Sequence, residues 1–232
     1  MYTLHIANKN YSSWSLRPWA LLRELQIPFT ESLIPFHRDA EWAAYRRIAP
    51  NGKVPCLVDG DITVWESLAI VEYLAERQAG VWPEASDARA WSRSACAEMH
   101  AGFSALRNCC SMSCGIRVQL HSVSAALTAD LSRIAALWND GLEHFGGPFL
   151  AGSDFSAVDA FFAPVVFRIQ TYGLALDPTS MGYVARMLEL ECLRTWYAEG
   201  LREPWRDVPH EAEIAQFGNV LQDFRVPVDP NG

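Results

Sequence analysis

The hydrophobic periodicity of this chain changes once, close to Gly80, and that switch limits the fold more than any other feature. Before it, short stretches of period two alternate with stretches of period 3.6. Tyr2 to Ala7 reads as a strand, Leu16 to Leu25 as a helix stopped by Pro28, and Thr30 to Ile34 as a second strand. Asp39 to Ile48 follows as a short amphipathic helix, ended by Ala49-Pro50 because the residue before a proline disfavours helical backbone. Val54 to Val58 and Ile62 to Trp65 read as strands joined by the hairpin signal Asp59-Gly60-Asp61. Ser67 to Gln78 is a helix with Leu68, Val71, Leu74 and Ala75 on one face. The order β-α-β-α-β-β-α predicts a mixed sheet with helices on its faces.

Beyond Trp82-Pro83 the pattern is helical, and no strand is expected from Asp87 onward. Ala88 to Arg107 and Val118 to Phe145 read as two long helices, the second broken by Gly146-Gly147-Pro148. Ser156 to Tyr172 is a third, and Met181 to Leu201 holds one or two more. Ser156-x-x-Asp159 has the form of a capping box, with Phe155 and Ala160 as a small staple; its expected role is in folding rather than chemistry. The segment after Phe217, with Pro227 and Pro230, reads as an extended surface arm. The expected division is an α/β domain over 1–80, an all-helical domain over 88–217 and a tail over 218–232.

Composition removes several function classes. Half of the 232 residues are hydrophobic and 20% are charged, as in ordinary globular proteins. A net charge of −8 provides no basic field for a polyanion, so no nucleic-acid partner is expected. Met1 to Asn10 has neither a charged leader nor an apolar signal core, and no run approaches the ~20 apolar residues of a span. A cytoplasmic protein without a membrane partner is expected. The six cysteines lack the spacing of a disulfide scaffold, and nothing completes a ligand set around Cys110 and Cys114, so no metal is expected. Cys109, Cys110 and Cys114 read as extending the first long helix. Free cysteines in such positions are buried small hydrophobes by default, with redox sensitivity as the alternative.

Four short motifs carry more specific information. They are Tyr11-Ser-Ser-Trp-Ser-Leu-Arg17, Lys53-Val54-Pro55, Glu66-Ser67-Leu68-Ala69-Ile70 followed by Tyr73-Leu74, and Ser156-Ala-Val-Asp159-Ala-Phe. In this order, spanning most of the chain, they resemble the cytosolic glutathione transferase family. The first is most similar to the zeta class and to a broad group of bacterial serine-type transferases. It carries Trp14 where the zeta motif has Cys, and Ala49-Pro50 stands where many relatives have Asn-Pro. The resemblance implies a thioredoxin-like βαβαββα domain that binds glutathione as co-substrate, an all-α bundle that shapes a second-substrate pocket, and a homodimer. Trp42, Trp82 and Trp91 would be available for the dimer contact. The implied activity is conjugation of glutathione to a small hydrophobic or aromatic electrophile, a detoxification reaction. A maleylacetoacetate-type isomerase, a dehalogenase and a non-catalytic ligand-binding protein are the alternatives on the same scaffold. A thiol-disulfide oxidoreductase would need Cys where this chain has Ser12, Ser13 and Trp14.

These residue types suit the chemistry. A free thiol has a pKa of roughly 8.5, and its thiolate is the nucleophile. A hydroxyl donor and a helix N-terminus both favour the thiolate, and Ser12 and Ser13 stand where the two coincide. The zeta-like alignment selects Ser12, and counting back from Arg17 selects Ser13. Simple helix capping is the structural reading of both, and Tyr11 is a rival donor. In the resemblance Pro55 is cis, Val54 bonds the cysteinyl segment through its main chain, and Lys53 either meets a carboxylate or is solvated. Ser67, opening a helix, suits the γ-glutamyl carboxylate, and Glu66 its ammonium. His37 and Arg38 would reach the glycyl carboxylate or form a solvated loop. Met99, Phe103 and Arg107, spaced four apart, would face the second substrate, with Trp14 as an aromatic wall; plain core is the other reading of Met99 and Phe103. Arg17 and Arg107 are the side chains that would suit an acid-recognising pocket.

Overall fold

The computed structural model describes residues 1–36 and 38–227. Strand β1 (Tyr2–Ile6) buries Tyr2, Leu4 and Ile6, as its alternation requires. Helix α1 (Ser13–Glu24) returns the chain to β2 (Phe29–Leu33), which lies parallel to β1 with Tyr2 opposite Phe29. Helix α2 (Asp39–Tyr45) is three residues shorter than its pattern and unwinds before Ala49-Pro50. Strand β3 (Cys56–Asp59) starts two residues later than its apolar run, because Pro55 has no N–H for the ladder. Strand β4 (Ile62–Trp65) and helix α3 (Ser67–Ala75) complete the α/β half. The sheet order is β2-β1-β3-β4, with β3 antiparallel to both neighbours. This is the expected mixed, thioredoxin-like arrangement.

The second half departs from its reading in three places. The 88–107 pattern is two helices, α4 (Ser86–Ala101) and α5 (Ser104–Cys109). At Gly102 the backbone comes so close to the Glu98 carbonyl that a Cβ would sit 2.8 Å from its oxygen, and Phe103 adopts a left-handed φ of 59°. The chain turns there, so Met99, Phe103 and Arg107 do not form one stripe. The second departure is a two-stranded antiparallel sheet where no strand was expected. Strand β5 (Ile116–Leu120) pairs antiparallel with β6 (Gly218–Asp223), so the helix read from Val118 begins only at α6 (Ala125–His144). The tail after Phe217 is thus fastened to the body through β6; positions 228–232 lie outside the described residues. Third, only Cys109 belongs to α5. Cys110 caps it and Cys114 lies in the following loop, both fully buried. Burial pushes the Cys110 thiol up to about 12, and Cys114 also upward, which leaves inert thiols.

Helix α7 (Ala157–Tyr172) forms the centre. Every residue but Gln170 is buried, as expected of a helix apolar on all faces. Its start is fixed by Asp159, whose carboxylate accepts from Ser156 N at 3.0 Å, Leu150 N at 3.0 Å and the Tyr183 hydroxyl at 2.9 Å. Helices α8 (Pro178–Glu189), α9 (Glu191–Arg202) and α10 (Val208–Phe217) finish the bundle. Among the described residues no helix is long and apolar enough to cross a membrane. The core is continuous across both halves: Leu16, Trp19 and Leu22 of α1 join one cluster with α7. That packing sets the β1–α1 loop against the helical half.

Candidate functional site

The β1–α1 loop is pinned by polar residues on both sides. Asn10, fully buried, donates through Nδ2 to the Gly200 carbonyl and accepts from Gly115 N at 3.2 Å. The Lys9 carbonyl accepts from Trp196 Nε1 at 2.8 Å, and the Lys9 ammonium pairs with Glu31 at 2.7 Å and with Glu199. Glu203 closes the loop from the end of α9, accepting from Lys9 N at 2.5 Å and Asn10 N at 3.3 Å. Asn8, Lys9 and Asn10 stand in the sequence as a polar run directly before the serines. The α9 partners of Lys9 and Asn10 are some 190 positions away, so no local pattern reveals them.

The loop delivers Ser12 and Ser13 to a cavity of about 410 Å³ between the two halves. Ser12 stands at the N-cap position of α1, but its side chain makes no capping bond; its hydroxyl bonds Ser15 Oγ at 2.7 Å. Ser15, wholly buried, accepts in turn from Ala7 N at 3.2 Å. Ser13 is the first residue of α1, and its hydroxyl makes no hydrogen bond among the described residues. Tyr11 also lines the cavity, but its hydroxyl donates to Glu211 at 2.6 Å and accepts from Arg225 at 2.8 Å. Burial and the Glu211 carboxylate hold that phenol well above its ordinary pKa.

A smaller cavity of about 170 Å³ shares Trp14, Lys53 and Val54 with the larger one and adds Asn51, Pro55 and Glu66. The Val54-Pro55 peptide is cis. Val54 precedes the first ladder residue, Cys56, so its main-chain groups lie beyond the sheet. The Lys53 side chain is exposed, while its carbonyl accepts from the Tyr45 hydroxyl at 2.6 Å. Glu66 is held at φ 68°, ψ 130°, a conformation that costs a non-glycine residue about 1–3 kcal/mol and collects at ligand clamps. Its exposed carboxylate accepts from Asn51 Nδ2 at 3.2 Å. Ser67 opens α3 beneath it, fully buried, with Arg17 Nη1 3.4 Å from its hydroxyl.

The far wall is assembled from distant segments. Arg107 of α5, Arg168 of α7 and Met112 line the helical side, with His210 and Glu213 from α10. Phe36 and Trp42 form a stacked pair on the α/β side, with centroids 5.9 Å apart. Met99 and Phe103 do not reach the cavity: they are 1% and 6% exposed and belong to the core, because the turn at Gly102 carries them inward. Trp14 does line it, and its ring is flanked by two guanidinium groups, Arg17 at 4.1 Å and Arg107 at 4.7 Å. Arg168, Phe36, His210 and Glu213 carry no local motif, and Trp42, expected at a dimer contact, lines the cavity instead. His37 lies outside the described residues, and Arg38 caps α2.

The comparisons with known proteins agree with this fold. The family profile "Glutathione S-transferase, N-terminal domain" matches residues 11–77, and "Glutathione S-transferase, C-terminal domain" matches 117–199. A glutathione S-transferase-like protein, OpS6 of Beauveria bassiana, is 29% identical over 70% of this chain and 79% of its own length. A dichloromethane dehalogenase of Methylorubrum extorquens is 43% identical, but over only 25% of this chain and 22% of its own. Among solved structures, a glutathione transferase homolog from Burkholderia with bound glutathione superposes with a TM-score of 0.63 at 20% identity, covering 86% of this chain and 97% of that one. The chain belongs to the glutathione S-transferase family.

Proposed function

We propose that the protein binds glutathione and transfers its thiolate to a small electrophile with an aromatic or hydrophobic body. One observation carries the reading: Ser12 and Ser13 at the start of α1 line a cavity that shares Trp14, Lys53 and Val54 with a smaller one lined by Pro55 and Glu66, with Ser67 buried behind Glu66 at the start of α3. In this reading the γ-glutamyl end lies in the Glu66–Ser67 corner. Its carboxylate meets the free N–H groups and hydroxyl of Ser67 at the α3 N-terminus, and its ammonium faces Glu66. The main chain of Val54 pairs with the cysteinyl residue, Pro55 shapes the turn, and Lys53 stands over the glycyl side. The sulfur then lies against Ser12 and Ser13, where a hydroxyl donor and the positive end of α1 both favour thiolate over thiol. The electrophile occupies the remainder of the cavity, against Trp14, Arg107, Phe36 and Trp42. The tyrosine alternative is disfavoured by the double engagement of the Tyr11 hydroxyl. A glutathione-bound relative of the same fold supports the co-substrate.

The test is thermal unfolding at increasing glutathione, followed by thiol consumption with a panel of electrophiles. Glutathione at 100 times its Kd adds about 2.7 kcal/mol of stability, a rise of several degrees. No shift at millimolar glutathione removes the reading. A shift without thiol loss, with isomerisation of a cis-unsaturated acid instead, moves the protein to the isomerase alternative.

A further inference from the structure

Two of the cations that line the cavity are held in a way that keeps their charge available. Arg107 donates from Nε to the Gly102 carbonyl at 3.0 Å and from Nη2 to the carbonyls of Met99 and His100. Arg168 donates from Nε to the Cys110 carbonyl at 2.8 Å and from Nη1 to that of Pro164 at 3.5 Å. Carbonyls orient a guanidinium without neutralising it. Arg107 Nη1 and Arg168 Nη2 donate to nothing among the described residues. Behind them Arg17 is completely buried, its Nε has no partner and its Nη1 reaches only Ser67. None of the three forms an ion pair among the described residues. Elsewhere the chain pairs its buried cations: Lys9 with Glu31, and Arg225 with Glu211 and Asp223. Burial and the neighbouring cations pull Arg168 down to about 10 and Arg17 further, yet a guanidinium keeps its proton. The carboxylate on the cavity lining, Glu213, bonds Ser111 Oγ at 2.8 Å and neither arginine.

An anion is therefore the missing partner of this wall, and the stacked Phe36–Trp42 pair lines the same cavity. We infer that the electrophile of this enzyme is an aromatic carboxylic acid, its ring against the edge of the Trp42–Phe36–His210 stack and its carboxylate between Arg107 and Arg168. This inference rests on the glutathione reading and adds the chemical class of the second substrate. Glutathione's own glycyl carboxylate is the rival occupant, and the experiment separates the two.

The probes are 4-chloro-3-nitrobenzoate and 4-chloro-3-nitrobenzamide, which share ring and leaving group. In each, the thiolate sulfur forms a C–S bond at the chlorine-bearing carbon, the C–Cl bond breaks, chloride leaves with the electron pair, and the thiol proton goes to solvent. With kcat/KM divided by the uncatalysed rate, the acid is expected to exceed the amide by roughly tenfold or more, the size of one charged hydrogen-bonded contact. Arg107→Met and Arg168→Met should each bring that ratio toward unity by raising KM for the acid, with KM for glutathione unchanged. A wild-type ratio near one overturns the inference. So does a variant that raises KM for glutathione and leaves the ratio alone, because the cations then serve glutathione. Should the variants not fold, benzoate against benzamide as inhibitors of the wild type decides: benzoate competing with the electrophile supports the inference, and equal weakness of both overturns it. If glutathione itself neither binds nor reacts, the functional reading fails separately. Calorimetry of benzoate with the wild type then judges the anion site alone: saturable binding supports it, and no binding overturns it.

Discussion

At the scale of single residues, the two serines are not equivalent. Ser12 donates to Ser15, which accepts in turn from the Ala7 amide, so Ser12 gives its one proton to a bound sulfur only when that bond reverses and Ser15 donates to Ser12. Ser12→Ala is expected to raise the pKa of bound glutathione by roughly one to two units, since a hydrogen bond to a charged group contributes about 1.5–3 kcal/mol. Ser13→Ala should move it less, and a larger shift for Ser13→Ala transfers the role to that hydroxyl. Tyr11→Phe should leave the thiol unmoved, because its hydroxyl already serves Glu211 and Arg225. In the corner, Glu66→Ala and Ser67→Ala each remove a contact present before and during the reaction. They should raise KM for glutathione by roughly tenfold to a hundredfold, with a much smaller change in kcat. An unchanged KM in both would displace the γ-glutamyl end from this corner. Ser12, Ser13, Val54, Pro55 and Glu66, which line the two cavities, each stand in a motif a few residues long, and so does Ser67, which lines neither. Arg168 and Phe36 were not legible in this way, because what makes them part of a wall is the packing of α7 and the β2–α2 loop around the same space.

At the scale of elements, the same contrast between local and distant signals decides what was read correctly. The βαβαββα order follows from hydrophobic period and turn residues within each segment. Strands β5 and β6 pair across about a hundred positions, Ile116 with Asp223; β6 is exposed along nearly its whole length and shows no buried alternation, while β5 buries Ile116 and Val118 in alternation but is only five residues long. The break between α4 and α5 was announced by Gly102 alone, a residue that many helices tolerate. The junction of α9 with the β1–α1 loop has a measurable consequence. Burial raises Glu203 from its ordinary 4.5 to about 7. The folded protein therefore holds a proton at this group that the unfolded chain has released between about pH 4.5 and 7. Its contribution is fully present below pH 4.5 and is lost as pH rises through 7, a change on the order of 3 kcal/mol. Glu203→Gln should flatten that slope in chemical denaturation followed from pH 4.5 to 8. A wild-type slope that the substitution leaves intact assigns the pH dependence to other groups.

At the scale of the molecule, one continuous core joins both halves, and the cavity is the space their surfaces leave between the serine loop and the Arg107–Arg168 wall. The tryptophans expected to supply a dimer contact are used within the chain. Trp82 is buried, Trp91 bonds Asp140 at 2.7 Å, and Trp42 stacks on Phe36. The exposed apolar residues on the edge strand β4, Ile62 and Trp65, are better placed for association. Light scattering at micromolar concentration is expected to give twice 26.0 kDa, and a species of 26.0 kDa alone rules the homodimer out. The account as a whole depends on glutathione becoming a thiolate against the serine loop. Near-ultraviolet titration of the wild-type protein saturated with glutathione reads that ionisation directly. The predicted result is a saturable thiolate absorbance with a midpoint at least about one unit below the roughly 8.5 of a free thiol. A midpoint at the free value, or no absorbance beyond that of free glutathione, would contradict it.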